Sequence, residues 1–349
     1  MKMKLIKNLG CAAVLLAVAM APAMVSAQDK GTVVYLLPSL GDEFQTESRT
    51  AIENMIGGLG YEVISMDAQN RSDHQLNQID TALLMNPVAL VIAAVDFDSV
   101  IPGIEKAREA GVKVIAYDRP ITNVELDFTS VAGTYEIGEV AAHEVQTLLK
   151  ALNGSVSGTV LQITGDPGDM FSVDIQTGFD ENMAEFSDVT IITKPAMGWE
   201  ASNAADIADD QLLVNTDIDL IFTHAGHLAG AVSSVLEAKG QAPGETIQVT
   251  AVGLPQGLDL IRQGWVSVDV EQPLYAQVAG IAMFLDLVVG GGDMSEGSYD
   301  VLGLKSTLTH ETWGWNLKIP GAAARKDNVE TGPFWGNLNA PTDPIIPVQ

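Results

Sequence analysis

Residues 32–44 read Thr32-Val33-Val34-Tyr35-Leu36-Leu37-Pro38-Ser39-Leu40-Gly41-Asp42-Glu43-Phe44. The run to Leu37 is apolar or β-branched at nearly every position, and it breaks at a proline. A strand that is apolar on successive residues is buried on both faces, the habit of parallel sheets covered by helices. An amphipathic stretch near 44–58 follows, and then a second β-rich run at 61–67 (YEVISMD). Strand, helix and strand in that order make one parallel βαβ unit.

The unit recurs. Further strands are expected at 89–95, 112–117 and 128–132, with helices near 73–86, 98–110 and 135–152. Asn153-Gly154-Ser155-Val156-Ser157-Gly158 then supplies a cluster of turn-forming residues. Beyond it the pattern restarts, with strands near 158–164, 189–194, 219–223, 247–252 and 265–271. Helices near 171–186, 200–214, 227–239 and 255–263 lie between them. A long helix near 273–290 and a strand near 299–306 complete the regular part, and residues 309–349 show little periodicity. The chain therefore reads as two doubly wound α/β lobes of similar build.

The amino terminus reads differently. Lys2, Lys4 and Lys7 precede an apolar run over 9–25, and Val25-Ser26-Ala27 places small residues before Gln28. This is the pattern of a cleavable secretory signal peptide over 1–27. Cys11, the sole cysteine, lies within it, so the processed chain has no disulfide to stabilise it and relies on its core. The 18 basic and 45 acidic residues give a net charge of −27; the leader takes three lysines and no acid, so the processed chain carries −30. Such a field repels nucleic acid and anionic lipid.

No catalytic constellation is legible. Gly154-Ser155-Val156-Ser157-Gly158 has the outline of a nucleophile elbow, but valine holds the nucleophile's place. Phosphate-loop, zinc-protease and dinucleotide fingerprints are absent from the sequence. His224-x-x-His227 has the spacing of a metal pair but no third ligand with comparable spacing, so no metal and no cofactor is expected. In open parallel sheets ligands sit beyond the carboxyl ends of the strands, so the informative residues should follow each strand.

At those positions a set of features occurs in order. They are Leu36 to Phe44, Gly60-Tyr61-Glu62-Val63, Asp67-Ala68-Gln69-Asn70, Ile79-Asp80, Asn86-Pro87-Val88 and Ala94-Val95-Asp96. Gly111 to Arg119 and Gly178-Phe179 continue the series. Together they resemble the ribose-binding family of periplasmic sugar-binding proteins over most of residues 31–305. The resemblance implies a type I periplasmic binding protein fold with two doubly wound parallel-sheet lobes and a three-crossing hinge. The crossings are expected near Gly133, near Gln272 and near 303–307. One lobe would comprise 28–132 plus 273–302 and the other 133–272 plus 303–308, with 309–349 as a surface-packed tail. The implied role is the monomeric, periplasmic binding component of an ABC importer, delivering a small neutral sugar-like ligand to a membrane permease. The alternative is a sensor that presents its ligand, furanosyl signals included, to a chemoreceptor or membrane kinase.

Site residues follow from both sources. Asp118 and Arg119 end a buried strand and offer acceptor and donor at the short spacing that neighbouring hydroxyls need. Phe44 matches a family aromatic that covers one sugar face, Asp42 a polar contact in the preceding loop, and Trp199 an aromatic from the other lobe. Gln272 aligns with a hinge glutamine that contacts ligand. Asp96 either touches ligand or caps the helix that follows. The second lobe departs from the family pattern: Val173 and Ile175 stand where the family has an arginine, Ala225-Gly226 replaces an Asn-Asp pair, and Val252 replaces an aspartate. Asp174, His224 and His227 are the polar residues left nearby, and a less hydroxylated or modified ligand is allowed.

Overall fold

A computed structural model describes residues 30–339, 341 and 345–348. The expected leader and Cys11 lie outside the described residues.

The first lobe begins with β1 (Thr32–Leu37), α1 (Glu43–Gly57), β2 (Glu62–Asp67) and α2 (Ser72–Leu83). It continues through β3 (Ala89–Ile92), α3 (Ile101–Glu109), β4 (Lys113–Tyr117) and β5 (Phe128–Ala132). Alternate residues of β1 enter different cores: Val33, Tyr35 and Leu37 pack in one cluster, Val34 and Leu36 in another. That is the two-faced burial its unbroken apolar sequence required.

The chain then enters the second lobe with α4 (Thr134–Asn153), β6 (Gly158–Thr164), α5 (Met170–Met183), β7 (Val189–Pro195) and α6 (Ala201–Val214). β8 (Ile218–Thr223), α7 (Gly226–Ala238), β9 (Ile247–Val252), α8 (Pro255–Gln263) and β10 (Val268–Glu271) follow. α4 stops at Gly154, whose φ of 78° turns the chain out of the helix while its N–H bonds Lys150 O. α4 and α5 cross closely because Gly138 and Gly178 face each other's backbones. A Cβ on Gly138 would lie 2.1 Å from Ile175 O, and one on Gly178 would lie 2.1 Å from Tyr135 O.

α9 (Leu274–Gly290) returns to the first lobe and packs on α1 and β5. Here the structure corrects the expected partition. The strand expected near 299–306 is a hairpin of β11 (Gly297–Val301) and β12 (Leu304–Glu311), turned at Leu302-Gly303 with φ of 52° and 84°. Positive φ at both loop residues is the geometry of the tight turn that joins twisted strands. β13 (Gly314–Ile319) then pairs antiparallel with β12 and parallel with β5. Residues 303–308 therefore belong to the first sheet, and so does the start of what was read as a tail. The third crossing falls between Ile319 and β14 (Ala323–Arg325), which pairs with β10. The physical reason is that a β-hairpin pairs most readily with itself, and β13 completes the ladder on the free edge of β5.

The first sheet has the order β11-β12-β13-β5-β4-β3-β1-β2 and the second β14-β10-β9-β8-β6-β7. The three crossings are tied to one another or to the strands beside them. Gly133 N–H donates to Ile319 O (3.1 Å), Glu271 N–H to Ala322 O (2.8 Å) and Gln272 N–H to Val252 O (3.1 Å). Residues 326–338 then lie on the second lobe, with Val329 and Phe334 in its core, whereas Val348 N–H donates to Met283 O on the first. No helix among the described residues is long and apolar enough to cross a membrane.

Candidate functional site

The carboxyl ends of both sheets face one cavity between the lobes. From the first lobe, Asp42 caps α1: its Oδ1 accepts Gln45 N–H at 2.8 Å. An acceptor at that position satisfies a helix N–H that has no intrahelical partner. Phe44 and Gln45, on the first turn of this helix, both line the cavity.

β4 ends in a strained residue. Asp118 has a φ of 65°, a region that non-glycine residues adopt at a cost, and its carboxylate lines the cleft. Gln45 Nε2 donates to Asp118 Oδ2 at 2.7 Å, and Gln272 Nε2 to Oδ1 at 2.7 Å. One carboxylate thus joins the first helix, the fourth strand and the hinge. Burial pushes the Asp118 carboxyl up, while Arg119 and the two glutamine amides pull it down.

Arg119 spans the cleft. Its Nη1 donates to Ala94 O (2.9 Å), and its Nε lies 2.9 Å from Asp169 Oδ2 on the other lobe and 3.6 Å from Asp118 Oδ2. Asp169 in turn caps α5 by accepting Phe171 N–H, and its Oδ2 also accepts Trp199 Nε1–H at 3.1 Å. Burial pushes Asp169 up to about 7 even with the guanidinium beside it. The lobes also meet where Phe97 N–H donates to Gly168 O (3.1 Å) and Asn70 Nδ2–H to Gly198 O (3.1 Å). The cleft is closed in this structure.

The second lobe supplies Phe171 after β6, Trp199 after β7, Ala225 and His227 after β8, and Val252 and Leu254 after β9. Trp199 lies 6.1 Å from the Phe171 ring and has a φ of 61°, which follows Gly198 at 64° in a tight turn. His227 Nε2 is 2.9 Å from Trp199 O. Behind Phe44, Trp335 packs edge-on at 5.7 Å; its Nε1–H donates to Val252 O (2.7 Å) and its backbone N–H to Glu271 Oε1 (2.6 Å).

Of the residues expected at the site, Asp42, Phe44, Asp118, Arg119, Trp199 and Gln272 line this cavity. Three do not. His224 is fully buried in the second lobe, with Nδ1 3.4 Å from Ser172 Oγ and its ring 5.1 Å from Phe222. Burial holds its pKa down at about 3, so the imidazole is neutral. Asp96 folds back on its own loop, accepting the N–H groups of Asp98 and Ser99 in the turn before α3, so it neither lines the cavity nor caps the helix, whose N-cap is Val100. Asp174 accepts Thr134 Oγ1–H at 2.5 Å and faces a separate groove at the hinge. Gln45, Asp169, Phe171 and Leu254 also line it without having been expected, and His227, expected only as a polar residue nearby, lines it as well. The strand-end rule applied to the loop Gly165–Asp169 after β6 would have found Asp169.

Among the described residues no cluster of three His, Cys, Asp or Glu side chains is placed to hold a metal ion.

Comparison with known proteins agrees with this architecture. The family described as periplasmic binding protein domain matches residues 33–293. A xylitol-binding protein of Mycolicibacterium smegmatis is 22% identical over 275 residues, which is 76% of this chain and 73% of that protein. The ribose import binding protein of Bacillus subtilis is 22% identical over 210 residues, 60% of this chain and 67% of its own length. Among solved structures, an ABC transporter solute-binding protein from Mycobacterium smegmatis with bound glycerol superposes with a TM-score of 0.75 at 19% identity. It covers 86% of this chain and 96% of that one. A second, from Bacillus halodurans with bound myo-inositol, reaches 0.73 at 21% identity over 86% of this chain and 96% of its own.

Proposed function

Because the chain belongs to the periplasmic binding protein domain family, we propose that it binds one small, neutral, sugar-like ring in the cleft between its lobes. It would act in the periplasm as the substrate-binding component of an ABC importer and hand the ligand to a membrane permease. One observation carries the ligand class: a buried carboxylate and a buried guanidinium from adjacent residues share a cavity with the aromatic side chains of Phe44 and Trp199.

Each part has a role. The Asp118 carboxylate accepts two amide N–H groups and keeps lone pairs for ligand hydroxyls. Arg119 pairs with Asp169 through Nε and donates from Nη1 to Ala94 O, and its guanidinium lines the cavity, where it would donate to a ligand oxygen. The rings of Phe44 and Trp199 suit the C–H faces of a sugar. Gln272, on the second crossing, would relay ligand contact to the hinge, and the lobes would swing closed about the three crossings. A phosphorylated or carboxylated ligand would place its charge beside Asp42, Asp118 and Asp169 with only Arg119 to balance it, which favours a neutral one. The curated relatives are named for binding xylitol, ribose and apiose.

A thermal-shift screen against pentoses, hexoses, polyols and cyclitols tests the proposal. A ligand that binds only the folded state at a hundred times its Kd adds about 2.7 kcal/mol of stability, several degrees in melting temperature. At least one neutral sugar or polyol should do so. A chain that responds only to amino acids, or only to anions, would contradict the reading.

A further inference from the structure

We infer that the ligand is amphipathic around its ring, a deoxy or methyl-terminated sugar whose apolar edge lies against the second lobe. This rests on the reading that the cleft holds a sugar-like ring. The two lobes line the cavity with different chemistry. The first lobe and hinge contribute Asp42, Gln45, Asp118, Arg119 and Gln272, with Phe44 as the sole apolar member among the lining residues. The second contributes Asp169, Trp199 and His227 together with the apolar Phe171, Ala225, Val252 and Leu254, which follow or end β6, β8 and β9, neighbours in the sheet.

The polar groups on that wall are largely committed. Both Asp169 oxygens are engaged, one with Phe171 N–H and the other with Arg119 and Trp199. His227 Nε2 faces Trp199 O, and a carbonyl only accepts, so Nε2 carries a proton. Nδ1 is buried and without a protein partner among the described residues. The wall therefore offers one uncommitted ring nitrogen to one ligand hydroxyl and otherwise hydrocarbon.

Val252 gives an independent reason to regard this hydrocarbon as functional. It is β-branched yet has a φ of 87°, a conformation costly for such a side chain. Its carbonyl is held by Gln272 N–H (3.1 Å) and by the Trp335 indole (2.7 Å), and the next N–H, of Gly253, is held by Asp269 at 2.8 Å. The backbone there is over-determined, and the strained residue it carries presents an isopropyl group to the ligand space. Asparagine tolerates positive φ far better and would have placed a hydrogen-bonding group on the same wall.

A hydroxyl pressed against such a wall loses its water without gaining a partner, a penalty of roughly tenfold to hundredfold in affinity. The test is calorimetry with matched pairs that differ by one hydroxyl: D-fucose with D-galactose, L-fucose with L-galactose, L-rhamnose with L-mannose, and 2-deoxy-D-ribose with D-ribose. The expected result is a pair in which the deoxy member binds at least tenfold more tightly. Val252→Asn, which relieves the backbone, should stay folded and bring that ratio to within about threefold of unity. Parents that bind as tightly as their deoxy partners in every responsive pair would overturn the apolar edge and leave sugar binding intact. An undiminished ratio in the folded Val252→Asn variant would overturn the assignment of the wall. If no member of any pair binds, and the wider screen of neutral sugars and polyols is silent too, this inference and the proposed function fall together; a silent pair set beside a responsive polyol overturns the deoxy-sugar inference alone.

Discussion

Arg119 and Asp169 meet across the cleft at 2.9 Å, and both are buried. Removing one partner of a buried pair typically costs about 3–5 kcal/mol if the other charge stays buried. Here the lobes have an alternative, since opening the cleft hydrates Asp169. Arg119→Ala is therefore expected to raise the ligand-free radius of gyration in small-angle scattering and to weaken ligand by one to two decades, the usual value of a charged hydrogen bond of about 1.5–3 kcal/mol. Unchanged radius and affinity would show that the pair neither holds the lobes nor reads the ligand. A second prediction concerns Asp269, whose Oδ1 accepts Gly253 N–H while Oδ2 has no partner among the described residues. Burial pushes this carboxyl up to about 7. The unfolded carboxyl titrates near about 4, so between those values the folded state holds the extra proton and stability from this group falls as pH rises. Asp269→Asn should therefore gain melting temperature over the wild type at pH 8 relative to pH 5, a difference of a few kcal/mol at about 1.4 kcal/mol per unit. A pH-independent difference would rule out titration of Asp269 as its source. At this scale the sequence was partly legible. Strand-end position pointed to Asp118, Arg119 and Trp199, but it could not separate His224 from His227. That choice depends on which side of the β8–α7 turn each ring falls, and the turn's geometry is set by packing rather than by residue type.

Elements were far more legible, because apolar runs and amphipathic stretches report burial directly. β1 to β10 and α1 to α9 all fall within a few residues of their expected places. The exception is instructive. The β11–β12 hairpin turns on Leu302-Gly303, where leucine rather than asparagine or aspartate takes the first loop position and the aspartate that bonds the turn, Asp300, lies two residues earlier, so two strands read as one. β13 (GWNLKI) begins with glycine and carries polar residues, and only pairing with β5 buries its Leu317 and Ile319. Two element contacts can be tested. Gly138→Ala would drive a methyl into the α5 backbone, where neither helix can yield without moving the other. Overpacking of this kind costs about 1–3 kcal/mol or more, so the midpoint of urea unfolding should fall with an unchanged slope. A variant as stable as the wild type would mean that the helices part easily. Trp335 braces Phe44 and bonds the carbonyl of Val252. Trp335→Ala is expected to lose about 3–5 kcal/mol of stability and to weaken ligand, whereas Trp335→Phe, which removes the indole donor and one fused ring but keeps an aromatic face, should lose less. Equal effects of the two would mean that an aromatic ring at this place does not by itself brace Phe44.

For the whole molecule, two sheets with their carboxyl ends facing and three bonded crossings behind them frame a single cleft between the lobes. The duplicated strand–helix pattern carried the number of lobes. It did not carry the place of the third crossing, which depends on how an edge hairpin pairs and not on local propensity. In the function proposed above, ligand binds in this cleft through Asp118 and its neighbours. Asp118→Asn tests it most directly, since asparagine keeps the shape and tolerates the φ of 65° while removing the charge. Calorimetric titration of the best thermal-shift ligand should give one site per chain in the wild type and at least a tenfold rise in Kd in the variant, with the circular dichroism spectrum unchanged. A folded Asp118→Asn protein that binds with the wild-type Kd would place the ligand elsewhere.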